Sequence, residues 1–220
     1  MLIAGVDEAG RGCVIGPLVI AGVLIKEENL PVLRQLGVKD SKLLSPQKRE
    51  ALFPEIMRLA DKYLILKLTP REIDQVVDSG RKLHKLNRLE AQSMAKIIEN
   101  LKPDVAYVDA ADVLEERFKN HIREDLTFKT KIVSEHKADL KYPIVSAASI
   151  IAKVERDSDT KTLRDEYGNF GSGYLTDPRT MIFLESWLKT HTEYPDCVRK
   201  SWKPAKRAKN GKNTVQKKLA

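Results

Sequence analysis

Short apolar runs punctuated by glycine and proline dominate the start of the chain. Leu2-Ile3-Ala4-Gly5-Val6 is one such run and Leu18 to Ile25 another. With Gly10-Arg11-Gly12-Cys13 between them, they predict two strands joined by a glycine-rich loop. Ser45-Pro46 offers an N-cap followed by proline at the first helical position, which predicts a helix running towards Asp61. Tyr63 to Leu68 reads as a third strand. Between Leu83 and Leu101, apolar residues at 86, 89, 94, 97, 98 and 101 recur at helical spacing. Val105 to Asp109 and Thr130 to Val133 read as two more strands. Pro143 opens a long helix through Arg156 towards Leu163, and Asp177-Pro178 caps a last one through Leu188. This order predicts an α/β or α+β domain with a mixed sheet, followed by a helical C-terminal extension.

Composition narrows the class. A chain of 220 residues, 42% hydrophobic and 32% charged, has room for one large domain with at most a small appendage, and disorder is excluded for most of it. The longest apolar stretch, Cys13 to Ile25, is broken by Gly16-Pro17 and falls short of the ~20 residues of a membrane span. Asp7-Glu8 stands where a secretory signal would carry basic residues, so a cytoplasmic protein is expected. Two cysteines, Cys13 and Cys197, without CxxC or His-x-x-x-His spacing, argue against a disulfide scaffold or zinc site and read as buried thiols. The chain is long enough to bury its own core as a monomer.

Charge is unevenly spread. Seven of the eight net positive charges fall in residues 203–220, which hold no Asp or Glu, so the body is close to neutral. Such a run attracts a polyanion without reading sequence. A solvated tail that only aids solubility would look the same.

The acidic residues carry the chemistry. Asp7 ends the first apolar strand, Asp109 ends the fourth, and Asp139 follows the fifth, just ahead of the long helix. Any one of these alone reads more simply as a helix-capping loop aspartate. Three at strand ends would repel one another unless hard divalent ions such as Mg²⁺ or Mn²⁺ neutralised them. Glu8 can share a site with Asp7 only if the backbone turns there, because adjacent strand residues face opposite ways.

Asp7-Glu8-Ala9-Gly10-Arg11-Gly12, Asp40-Ser41-Lys42, Tyr107-Val108-Asp109, His136-Lys137-Ala138-Asp139 and Ser146-Ala147-Ala148-Ser149 stand in this order, with Gly171-Ser172-Gly173-Tyr174 and Val198 to Lys203 after them. Together they closely resemble type 2 ribonuclease H, and ribonuclease HII of archaeal type in particular, over residues 1 to about 203. The resemblance implies a ribonuclease H-like fold: a five-stranded mixed sheet flanked by helices in a catalytic domain over 1–170. A helical extension over 171–204 and a basic, disordered tail over 205–220 would follow. It also implies an endonuclease that hydrolyses the RNA strand of RNA–DNA hybrids and cuts 5′ of single ribonucleotides in duplex DNA. The family's metal-binding carboxylates fall on Asp7, Glu8, Asp109 and Asp139, and all four are present. Two divalent ions there would give 5′-phosphate and 3′-hydroxyl ends without a Ser or His nucleophile.

Gly10-Arg11-Gly12 lacks side chains at two of three positions, so a nucleic-acid backbone can approach its main chain and a 2′-hydroxyl can be read there. A plain glycine-rich turn is the alternative; the resemblance assigns it to ribonucleotide sensing. Lys42, Arg49, Ser149, Lys153 and Arg156 match substrate-binding positions, the last three lying at i, i+4 and i+7 on one helical stripe. Leu43 stands where the family commonly has a second lysine. Tyr174, in a loop, is either a stacking platform for the deoxyribose after the ribonucleotide or a packing residue. His136 is a proton carrier or simply structural, and Ala147, Ala148 and Ala152 signal close helix–sheet packing. Gln216 and Leu219 resemble the start of a sliding-clamp-binding peptide without its aromatic pair, which gives a clamp contact little support. A non-catalytic nucleic-acid-binding module would lack one of the carboxylates. A resolvase-like metal nuclease on the same superfold would not need the Gly-Arg-Gly loop or Tyr174.

Overall fold

A computed structural model describes residues 1–38, 44–79 and 85–210. Its elements follow the apolar pattern closely. They are β1 (Leu2–Ala9), β2 (Leu18–Lys26), α1 (Leu30–Gln35), α2 (Pro46–Leu59), β3 (Lys62–Leu68), α3 (Pro70–Val77), α4 (Lys85–Leu101) and β4 (Val105–Asp109), then α5 (Glu115–Glu124), β5 (Lys131–Glu135), α6 (Ala138–Lys141), α7 (Pro143–Tyr167) and α8 (Pro178–Thr190). A further helix, α9, covers 203–210.

Five strands form one sheet in the order β3-β2-β1-β4-β5. β1 pairs antiparallel with β2 and parallel with β4, and β4 pairs parallel with β5, so the sheet is mixed as expected. The chain forms two units, and their division does not follow the boundary expected at 170. The first comprises Met1–Ala9, Val19–Lys67 and Leu83–Glu155; the second comprises Gly10–Leu18, Leu68–Lys82 and Arg156–Ala220.

In the first unit, helices cover both faces of the sheet. Ile3, Val19, Ala21, Val23 and Ile25 share one face and pack with Ile144, Ala147, Ala148, Ile151 and Ala152 of α7, all of them buried. α7 comes so close that a Cβ on Gly5 would lie 2.2 Å from the Ile144 carbonyl oxygen, so only glycine fits there. On the other face Ile97 and Leu101 of α4 lie over Gly22 of β2. The alanines of α7 are thus packing residues, as their size implied.

The second unit has its own core, built from Val14, Ile15, Phe170, Leu184, Leu188, Tyr194, Val198 and Ala205. Residues 205–210, expected to begin a disordered tail, are helical instead. Ala205 is buried, Lys206 Nζ meets Asp78 at 2.7 Å and Lys209 Nζ meets Glu193 at 2.5 Å, giving α9 partners that its basic sequence alone conceals. Among the described residues no helix is long and apolar enough to cross a membrane.

Candidate active site

β1 stays extended through Ala9, with Asp7 opposite Ala21, Glu8 opposite Ile20 and Ala9 opposite Val19. The turn needed to bring Asp7 and Glu8 to one side is therefore absent, because ladder pairing with β2 holds both in the strand. Asp7 faces α7 with Ile3 and Gly5, while Glu8 points to the opposite face. Asp7 is 3% exposed. Its Oδ1 accepts the Glu8 N–H at 2.7 Å, and Ser149 of α7 bonds the same carboxylate.

Tyr107 of β4 pairs with Gly5, so Asp109, two residues on, falls on the Asp7 face. Its Oδ1 accepts the Ala138 N–H at 2.9 Å, which ties the end of β4 to the start of α6. Lys137 takes a left-handed conformation (φ 54°) and turns the chain into α6, whose first turn carries the fully buried Asp139. The Ser146 hydroxyl donates to the Asp139 carbonyl.

Burial first and the charge of Asp109 second push the Asp7 carboxyl up to about 7, hydrogen bonds from Ser149 and the Glu8 N–H oppose them, and the charge of Asp139 adds the smallest contribution. Like charges in a desolvated setting produce this. Glu135 lies opposite Asp109 in the β4–β5 ladder but stands apart electrically. Lys141 Nζ at 2.5 Å and the Tyr142 hydroxyl at 3.0 Å hold its carboxyl below the usual range. The apolar pattern gives no sign of Glu135, since its neutralising lysine comes from the next helix.

The donors at Asp7, Asp109 and Asp139 are all carboxylate oxygens, and their mutual repulsion calls for positive charge. Among the described residues, no three His, Cys, Asp or Glu side chains are drawn into a ready-made metal cage. Hard divalent ions of the Mg²⁺ kind keep several waters and take one or two carboxylates together with phosphate oxygens, so an open carboxylate set suits them and does not suit a closed zinc site.

The other expected positions in the first unit divide. Ser149 is buried against Asp7, and Lys153, one turn on, is half-buried. Arg49 turns one N–H back to the Leu44 carbonyl at 2.5 Å. Lys42 and Leu43, with Asp40 and Ser41, lie outside the described residues, as do Gln216 and Leu219. His136 places Nδ1 3.2 Å from the Ala110 carbonyl and Nε2 3.3 Å from that of Val113, holding the loop that follows Asp109.

In the second unit, Gly10 adopts φ 87° and Gly12 is exposed. Arg156, expected on the substrate-binding stripe, is 6% exposed. Its Nη2 donates to Cys13 Sγ at 3.0 Å and to the Ser172 carbonyl, Nη1 meets Asp157 at 3.2 Å, and the guanidinium sits 4.9 Å from the Tyr174 ring centroid. Tyr174 is therefore backed by a cation on one ring face, and its hydroxyl donates to Cys13. Burial and that bond push the phenol up to about 12, so it stays protonated at neutral pH. Cys13 and Cys197 are both buried thiols, as expected.

Arg199 lies in the Val198–Lys203 stretch of the resemblance, which assigns it no role. It is fully buried, and its guanidinium donates to the main-chain carbonyls of Gly10, Arg11 and Gly16. That stretch gives no sign of its burial, since a basic residue between valine and lysine is a common context.

The family model described as Ribonuclease HII matches residues 4–205. Ribonuclease HII of Thermococcus onnurineus is 51% identical over 209 residues, covering 94% of this chain and 89% of its own. That of Pyrococcus abyssi is 50% identical, at 94% and 91% coverage. Among solved structures, ribonuclease H2 of Pyrococcus horikoshii matches with a TM-score of 0.88 and 46% identity, over 96% of this chain and 98% of its own. The ribonuclease HII in a complex with PCNA from Archaeoglobus fulgidus matches with a TM-score of 0.83 and 45% identity, over 92% and 96%.

Proposed function

The chain belongs to the ribonuclease HII family of hydrolytic endonucleases, which cut the RNA of RNA–DNA hybrids, and from that premise we propose that it also cuts 5′ of single ribonucleotides in duplex DNA with two divalent ions, Mg²⁺ or Mn²⁺. The observation that carries this reading is the burial of Asp7 beside Asp109 and, more weakly, Asp139: desolvation first, then the charge of Asp109, lift its carboxyl to about 7. Asp7, Asp109 and Asp139 would hold the ions, which when bound would supply Lewis-acid activation of water and charge stabilisation at the leaving 3′ oxygen. The protein's own part is orientation. Ser149 and the Glu8 N–H fix the Asp7 carboxylate, the Ala138 N–H fixes that of Asp109, and α6 presents Asp139. Glu8 is kept as fourth ligand on the strength of the resemblance alone. Strand alternation starts its side chain on the other face, so its carboxylate would have to reach round the end of β1.

Substrate recognition falls to Gly10, Arg11 and Gly12 at the 2′-hydroxyl, to Lys42, Arg49, Ser149 and Lys153 at phosphates, and to Tyr174 at the following deoxyribose. Arg156 acts through Tyr174 by backing its ring. The enzyme works as a cytoplasmic monomer. The Archaeoglobus relative assembles with PCNA, and a clamp contact through the segment holding Gln216 and Leu219 is a second reading for its partners. The test is incubation with a duplex carrying one ribonucleotide, with Mg²⁺, with Mn²⁺ and with a chelator. Cutting 5′ of the ribonucleotide in the metal arms alone is expected, and cutting that survives complete chelation would sink the two-metal reading.

A further inference from the structure

Arginine carries five N–H donors in a rigid planar fork and remains charged, so burying it demands a full set of acceptors. Arg199 finds them in one short loop. Nη2 donates to the Gly10 carbonyl at 2.7 Å, Nη1 to the Arg11 carbonyl at 2.9 Å and Nε to the Gly16 carbonyl at 3.1 Å. Its guanidinium lies 5.1 Å from the Trp202 ring centroid. The Gly10 carbonyl also accepts the Cys13 N–H at 3.2 Å. Two successive carbonyls, of Gly10 and Arg11, are thus drawn towards one cation. All described peptides are trans, so the N–H edges of those two peptide units turn the other way.

We propose that Arg199 is the positioning residue of the Gly10-Arg11-Gly12 loop, fixing which edge of its main chain is offered to the ribonucleotide. The proposal rests on the reading of that loop as the ribonucleotide sensor. The backbone around Arg199 is anchored without its side chain. The Arg199 N–H donates to Val14 O at 2.8 Å, and Gly16 N–H donates to Cys197 O at 2.8 Å. The Asp74 carboxylate accepts the Lys200 and Ser201 N–H groups at 2.8 and 3.0 Å. A change at Arg199 therefore frees the loop while the segment that carries it stays in place. Lysine keeps the charge but, as a point donor, cannot span three carbonyls.

Arg199→Lys, Arg199→Met and, as control, Asp74→Asn are to be compared with the wild type in two assays. In the first, trypsin cuts after Arg11 in the folded protein, and both Arg199 variants should be cut at least tenfold faster there. In the second, a duplex with one ribonucleotide is cleaved; kcat should fall at least tenfold in the Arg199 variants with KM within threefold, since phosphate contacts dominate substrate binding. Asp74→Asn should change neither. Unchanged trypsin resistance and kcat in Arg199→Lys would overturn the proposal, as would an equal kcat loss in Asp74→Asn. A wild type that leaves the ribonucleotide duplex intact would sink the functional reading instead, and the trypsin assay would still decide whether Arg199 holds the loop.

Discussion

Replacing Asp7 by asparagine should stabilise the metal-free protein while abolishing turnover. The carboxyl is buried and is raised from 3.8 to about 7 by burial, Asp109 and Asp139. A rise of about three units, at 1.36 kcal/mol each, puts a ceiling of about 4 kcal/mol on the cost of keeping Asp7 ionised. Asparagine removes that cost and keeps an oxygen to accept the Glu8 N–H. The sign follows from linkage. A carboxyl whose folded pKa lies above its unfolded value favours folding only while protonated, so the wild type loses stability as pH rises from about 4 to about 7. The gain from Asp7→Asn should therefore be near zero at pH 4, grow through that window and level off at about 2–4 kcal/mol above pH 7.5. Denaturant unfolding in a chelator at pH 4, 6 and 8 reads it directly. Added Mg²⁺ should then narrow the gap by stabilising the wild type more than the variant. A variant less stable than wild type at pH 8, or a gain independent of pH, would refute a buried Asp7 carboxyl whose ionisation opposes folding.

Tyr174→Ala should slow cutting at a single ribonucleotide by roughly 5- to 150-fold, the worth of ~1–3 kcal/mol of stacking, with a smaller loss on continuous hybrids; Tyr174→Phe, which keeps the ring over Arg156, should be nearly normal. Equal losses on both substrates would make Tyr174 a packing residue. Deleting 211–220 removes Lys212, Lys217 and Lys218 and should flatten the salt dependence of hybrid binding without moving the cut site, whereas deletion from 205 should also lower Tm by removing buried Ala205 and the α9 ion pairs. Gly5→Ala should cost about 3 kcal/mol in denaturant unfolding, because its Cβ would collide with the Ile144 carbonyl.

Where local chemistry decides structure, the sequence is readable. Ser45 caps α2 by accepting the Lys48 N–H, Asp177 caps α8, and Val105–Asp109 forms a strand over the run its apolar residues mark. The α3 signal is also present, since Thr69-Pro70-Arg71-Glu72 is a capping box, but it sits beside a strong strand that draws attention away. α5 has few apolar residues and is anchored by Asp112, which accepts the Leu114 N–H and pairs with Arg117. Asp7 and Glu8 remain in β1 because β2 pairs with them, and no local pattern announces that partner. Arg156 and Arg199 are the hardest to place. Helical spacing puts Arg156 on a stripe but does not say what covers it, and Arg199 is fixed by carbonyls more than 180 residues away in sequence. The carboxylates are legible because their types and strand-end positions carry chemistry whatever surrounds them, whereas buried cations depend on neighbours that only the fold brings together.

The most direct test of the mechanism is the chemistry of the cut ends. A labelled duplex with one ribonucleotide, cleaved in Mg²⁺ or Mn²⁺, is resolved for its termini. Attack by water on the phosphate predicts a cut 5′ of the ribonucleotide, with a 5′-phosphate on the ribonucleotide fragment and a 3′-hydroxyl on the other. A 2′,3′-cyclic phosphate with a 5′-hydroxyl would show that the ribose 2′-oxygen is the nucleophile and would contradict a metal-activated water held by Asp7, Asp109 and Asp139.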